Sequence, residues 1–282
     1  MRKSISFIAG QNGMKQQTEP NNNAAEMPFY AHFVELRSRL LRIAIAVLVG
    51  AIVCFSFASY LYGILALPIY DALPEASREL IFLNPVEPFF VYLKISILAG
   101  FILMSPYIFF QIWRFIAPAL YAHEKKAVIP LVAASTLIFI VGAVFCYYLI
   151  LPYGLKALIG AGMTEDFAAT AQISMASYYD LVVRLIMAFG IVFEMPVFSL
   201  FLAKLGVITD KTLLKHWRVA VVIIFVVAAV LTPPDVITQI SLALPMCVLY
   251  GVSVVVARIS APKAIEESPA VIDESSETQE QN

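Results

Sequence analysis

The sequence predicts an all-α, polytopic integral membrane protein with six transmembrane helices, the last two short, and with N and C termini in the cytoplasm. Three observations predict it. Hydrophobic residues make up 61% of the 282 and charged residues only 14%, whereas a soluble domain carries roughly 25% charged residues. So few charges cannot cover a globular surface, which excludes a cytosolic enzyme, a nucleic-acid binder and a disordered scaffold. Apolar runs long enough to cross a ~30 Å hydrocarbon core recur along the chain. The basic residues, finally, collect on one side of those runs.

The runs are Ile43–Leu67, Ile95–Trp113, Ala127–Leu151, Leu181–Ala203, Val219–Leu231 and Val236–Ala257. At 1.5 Å per residue the first four suffice to span. The fifth has 13 residues, and the sixth is interrupted by Thr238, Gln239, Ser241 and Pro245. Both read as short helices of a hairpin that stops near one face or thins the bilayer there. Fifteen of the 19 bases lie before the first run, in the even connections or after the last run. The odd connections hold only Arg78, Lys94 and Lys156, while Arg184 falls within a run. Lys and Arg retention on the cytoplasmic side then orients the whole chain.

The odd connections, Leu67–Lys94 and Leu151–Asp180, are the longer ones and are dense in proline and glycine. They read as ordered external caps with short helical pieces, Pro68 marking the turn out of the first span. The fifth connection, Thr232-Pro233-Pro234-Asp235, reads as a tight structural turn. Thr232 would cap the next helix, Pro233 would take its first position and Asp235 its first turn.

Three units follow. Residues 1–26 are polar, rich in Asn and Gln, and read as a flexible extension or an over-long start before Met27, with no signal-peptide core. Residues 27–260 form the six-helix membrane domain. Residues 261–282 read as a disordered cytoplasmic tail: the six acids after Lys263 meet no base, and removing them from the net charge of −1 leaves +5 elsewhere. Cys54, Cys146 and Cys247, odd in number and inside apolar runs, read as buried hydrophobes rather than a disulfide framework.

Catalytic and cofactor motifs are not expected. The chain has no Gly-x-x-x-x-Gly-Lys-Ser/Thr phosphate loop and no Gly-x-Ser-x-Gly elbow. His123-Glu124 begins like a zinc-protease motif, but Ala127 stands where the second histidine would be. No enzyme activity and no cofactor are therefore predicted. Two polar groupings suggest binding instead. Glu194, near the middle of the fourth span, is a carboxylate whose burial in lipid costs about 2 kcal/mol or more unless it is protonated or paired. Pro196 frees the Val192 carbonyl beside it, so the helix is expected to bend there. Glu194 reads either as an acid bonded to a neighbouring helix or as a polar contact in a transport path. Asp180 and Arg184, four apart, are expected to form a local ion pair.

The second grouping is cytoplasmic. His32-Phe33-Val34-Glu35-Leu36-Arg37-Ser38-Arg39-Leu40 is an amphipathic lead-in to the first span. The connection Trp113 to Lys126 adds Glu124 with Phe115 and Tyr121. Two carboxylates flanked by apolar side chains suit a ligand bearing guanidinium groups, which carboxylates bind bidentately. A local Glu35–Arg39 pair is the competing reading.

These blocks resemble the TatC family of the twin-arginine protein translocase. The resemblance runs from about Met27 to Ala257. It rests on the segment from His32 to Leu40, on Pro85-Val-Glu-Pro-Phe-Phe with Lys94, and on Phe115-Ile-Ala-Pro-Ala-Leu-Tyr-Ala-His-Glu124. It continues in Met187-Ala-Phe-Gly-Ile-Val-Phe-Glu194-Met-Pro and in Leu231-Thr-Pro-Pro-Asp235 with Gln239. The resemblance implies a receptor in the bacterial inner membrane for twin-arginine signal peptides of folded proteins. Glu35, Arg37, Phe115 and Glu124 match the family's cytoplasmic recognition positions. Glu194 and Gln239 match intramembrane polar positions where single-span TatA- and TatB-type subunits make contact. The family also implies self-association in a receptor complex, a proton-motive force rather than ATP as driving force, and no nucleic-acid partner. The competing class is a small-molecule secondary transporter with Glu194 as its coupling site, which predicts self-similar halves that the chain lacks.

Overall fold

The computed structural model describes residues 29–73, 79–116, 128–162, 172–232 and 236–260. The expectations for residues 1–26, Glu124, Pro233, Pro234, Asp235 and the tail lie outside them.

Helix α1 (Phe29–Phe55) rises from the cytoplasmic side, and α2 (Ala58–Ala72) follows after a two-residue break. The break closes through Ser56 N–H to the Val53 carbonyl (3.3 Å) and Phe57 N–H to the Cys54 carbonyl (2.9 Å), a tightened last turn. The apolar run Ile43–Leu67 is thus two helices rather than one span. Composition conceals the break because α2 buries its own apolar face, Ala58, Ala66, Pro68 and Ile69, against the protein. Helix α3 (Glu87–Ile116) returns to the cytoplasm, and α4 (Val128–Phe145) leaves it. A π turn at Cys146–Ile150 joins α4 to α5 (Leu151–Gly162) just before Pro152, whose missing N–H interrupts the ordinary ladder. The third span therefore continues to Gly160, and much of the expected second loop is helix. Strands β1 (Leu80–Ile81) and β2 (Ile173–Ser174) pair in parallel, stitching the two external connections together.

The chain then crosses as α6 (Met175–Phe193) and α7 (Met195–Lys204), turns through α8 (Asp210–Lys215), and enters the hairpin of α9 (Trp217–Leu231) and α10 (Val236–Ser260). Among the described residues, five helical spans are long and apolar enough to cross a membrane, with Trp217–Leu231 a shorter sixth. The fifth span is as short as expected. The sixth is not: α10 runs 25 residues, continuing through Pro245 to Ser260.

Pro68 is not at a turn but inside α2. Its ring nitrogen cannot donate to the Ile64 carbonyl, and the structure supplies a replacement. Tyr147 Oη donates to Ile64 O (2.7 Å), with Tyr178 Oη on Leu65 O (2.6 Å) and Tyr179 Oη on Tyr62 O (2.8 Å). Three hydroxyls from α6 and the π turn thereby hold the proline-bearing cap helix. Ser105 Oγ does the same service for Ile102 O (2.8 Å), left free by Pro106 in α3. Tyr147→Phe is expected to cost about 1–3 kcal/mol by orphaning the Ile64 carbonyl. The cost should shrink in a Pro68→Ala background, where an amide N–H is restored. Thermal unfolding of the four members of that cycle in detergent checks it. Equal costs in both backgrounds would show that proline and tyrosine act independently.

Side chains pack in two clusters. Ile69, Val91, Ile95, Leu151, Tyr179 and Phe189 belong to the larger, toward the external side. Phe109, Trp113, Phe139, Val197 and Phe201 form the smaller, toward the cytoplasm. Helices α1 and α3 meet backbone to backbone: a Cβ on Gly100 would stand 2.4 Å from the Ala51 nitrogen. Small residues permit such an approach in membranes, where dispersion rather than water expulsion drives helix association.

Candidate functional site

The antiparallel α1–α3 contact positions the cytoplasmic grouping. The register that sets Gly50 against Gly100 also sets Arg39 against Gln111, and continued one turn further it puts Glu35 level with Phe115. Arg39 donates through Nε to Glu35 Oε1 (3.0 Å), through Nη2 to the same oxygen, and through Nη1 to Gln111 Oε1 (3.3 Å). The Arg39 side chain is only 11% exposed while Glu35 remains 38% exposed, so the carboxylate reaches the surface and the guanidinium lies beneath it. The local pair weighed from sequence is present, and it is also a tertiary tie. Arg37 and Phe33 lie on the exposed part of α1, and Phe115 is half-buried at the end of α3. Glu124 falls outside the described residues. Gln111, 4% exposed, was not anticipated. Its signal was available: it is the one side-chain amide in the 30 residues of α3.

Glu194 occupies the break between α6 and α7, where the two clusters meet. Its N–H reaches Ile191 O (3.1 Å) and its own carbonyl accepts from Phe198 N–H (3.0 Å), with Pro196 in the first turn of α7. At the place where Pro196 predicts a bend, the helix is interrupted at the single residue Glu194. The residue is 3% exposed, and neither carboxyl oxygen has a hydrogen-bond partner among the described residues. Beside it is the Ser135 hydroxyl of α4, which receives the Trp113 indole N–H at 2.9 Å. A buried carboxyl group without partners costs more than any other polar side chain in the span.

Other expected contacts are rearranged. Asp180 pairs with Lys94 of α3, at 2.5 Å, rather than with Arg184. The aspartate and lysine converge across two helices and tie α6 to α3, a geometry unavailable to a neighbour on the same helix. Thr232 ends α9, its hydroxyl donating back to Ala228 O (2.9 Å). Gln239 Nε2 donates to Phe225 O (3.1 Å), bracing α10 against α9. Cys146 is buried, whereas Cys54 and Cys247 are only partly so; all three are free thiols.

Six spans with a guanidinium–carboxylate surface at one face and a buried carboxyl between two helices define a multi-pass membrane protein. The comparisons agree. Residues 31–245 match the family model for the Sec-independent protein translocase protein TatC. The TatC protein of Aquifex aeolicus is 45% identical over 240 residues, covering 85% of this chain and 98% of its own. That of Campylobacter jejuni is 41% identical over 227 residues, covering 80% and 92%. A crystal structure described as the twin-arginine translocase receptor TatC superposes with a TM-score of 0.73 at 45% identity, covering 81% of this chain and 99% of that one. The chain belongs to the TatC family. It is a multi-pass inner-membrane subunit of the Sec-independent protein translocase, a receptor component and not a catalytic enzyme.

Proposed function

We propose that this chain binds the paired arginines of twin-arginine signal peptides at its cytoplasmic face and hands folded cargo to TatA- and TatB-type single-span subunits. The observation that supports the reading best is internal. Glu35, at the surface, already accepts two donors from one guanidinium, and that guanidinium is shared with the buried amide of Gln111. The site is thus shaped for arginine, whose fork a lysine cannot reproduce. In this reading one signal arginine takes Glu35 from Arg39, which keeps Gln111, while Glu124 takes the second. Arg37 and Phe115 complete the surface. The apolar stretch of the peptide then lies along the exposed face of α1 and its neighbours, burying area worth roughly 25 cal/mol per Å². Glu194 and Gln239 mark where partner helices meet the chain, self-association builds the receptor complex, and the proton-motive force drives transport.

The test is photocrosslinking from position 124, and separately from position 115, to a signal peptide carrying Arg-Arg or Lys-Lys. Strong crosslinking with Arg-Arg only, lost in Glu35→Ala, is the expected result. Equal crosslinking of the two peptides would remove the receptor assignment from this surface.

A further inference from the structure

On the external half, α5, α6 and the α9–α10 hairpin enclose two adjoining cavities of about 520 and 500 Å³. They share Leu155, Leu158, Leu181 and Thr232, so they read as one cleft. Its first part is apolar and opens beside Tyr153 and Leu244, both well exposed on the face that lipid covers. Its second part is edged by Asp180 and Arg184. Lys94 neutralises Asp180, and Arg184 is exposed and has no acidic partner among the described residues. Among the described residues, one net positive charge therefore stands at the end of an apolar slot.

The depth of that charge follows from the short helix beside it. Helix α9 is 15 residues long, about 22 Å of rise against a ~30 Å hydrocarbon core. Its external end, Leu231 and Thr232, lines the same cavity part as Arg184. Arg184 thus sits at the level where the membrane surface is drawn inward, within reach of a headgroup.

We propose that this cleft is a binding site for an anionic phospholipid of the outer leaflet, its acyl chain between α5 and α10 and its phosphate on Arg184. The arginine fork suits a phosphate, and the contact forms in a poorly hydrated setting. Such a lipid would fill the gap beside the short α9 and support the hairpin on its open side.

The full chain, purified from nanodiscs of phosphatidylcholine and phosphatidylglycerol with matched acyl chains, is read by native mass spectrometry. The wild type is expected to retain phosphatidylglycerol over phosphatidylcholine. Arg184→Gln should lower that retention about tenfold, as loss of a charged hydrogen bond implies, and Arg184→Lys should recover part of it. Leu158→Trp, which fills the slot, should lower it independently of charge. Unchanged retention in Arg184→Gln overturns the proposal. So does displacement by inorganic phosphate alone, which would make the site an anion site without a lipid. Loss of a single-span partner with lipid retention intact in Leu158→Trp would assign the cleft to protein instead.

Discussion

Gly100→Ala is expected to lower the melting temperature of the detergent-solubilised protein by several degrees, although alanine is the better helix former. The added methyl would lie 2.4 Å from the Ala51 nitrogen and 2.7 Å from the Gly50 carbonyl carbon, both backbone atoms that cannot rotate away. Relief requires moving α1 off α3 along their length, an overpacking cost of about 3 kcal/mol or more. The helix-propensity gain of about 1 kcal/mol offsets only part of it. At roughly 2–4 °C per kcal/mol in a chain of this size, the net loss is easily read. Gly63→Ala is the matched control. Nothing lies within 4 Å of a Cβ there, so the propensity gain should appear alone and the protein should be slightly stabilised. If the two substitutions behaved alike, the α1–α3 contact would be looser than its geometry requires. The same contact holds Arg39 against Gln111, so Gly100→Ala should also weaken arginine-dependent peptide crosslinking.

Which features were readable in the chain, and which were not, follows from the range of each interaction. Spans are readable because hydrocarbon thickness imposes a length, and the basic residues report the side. Glu35 and Arg39 are readable because they are four apart on one helix. The same rule misassigned Asp180, whose partner Lys94 lies 86 residues away on another helix. A rule of local spacing sees only its own helix. The α1–α2 break was hidden for a different reason. A cap helix buried in protein and a span buried in lipid have the same composition, so hydropathy merges them. Pro68 reads as a turn residue because it lacks an N–H. The hydroxyls that brace that helix come from Tyr147, Tyr178 and Tyr179, far along the chain, where no motif announces them. Glu194, by contrast, was legible because its oddity is local: a lone carboxyl in an apolar helix next to proline. The structure adds that it is buried with no hydrogen bond among the described residues, and that the Ser135 hydroxyl of a neighbouring helix stands beside it.

That unpartnered state leads to an expectation of opposite signs. Glu194→Leu should raise thermal stability, by about 2 kcal/mol, while abolishing assembly with single-span partners and transport. The stability gain follows because both carboxyl oxygens are buried without a hydrogen bond among the described residues and have only the Ser135 hydroxyl beside them, so their removal lifts a desolvation penalty and forfeits at most that one contact. Leucine is close to glutamate in volume, so the break between α6 and α7 and the packing of Trp113 and Phe139 nearby need not change. Transport should fall because, in the function proposed above, the same orphaned oxygens are what a polar side chain of a partner helix would meet. Glu194→Gln separates the terms: an amide still bears the burial cost but can bond a partner, so it should keep part of the assembly and little of the stability gain. Two measurements decide the matter, melting in detergent and co-purification of the single-span subunits. If the Glu194→Leu chain assembles normally, Glu194 has no part in the partner contact. If it unfolds more readily, the carboxyl has a stabilising partner within the fold, with Ser135 the first candidate to test by Ser135→Ala.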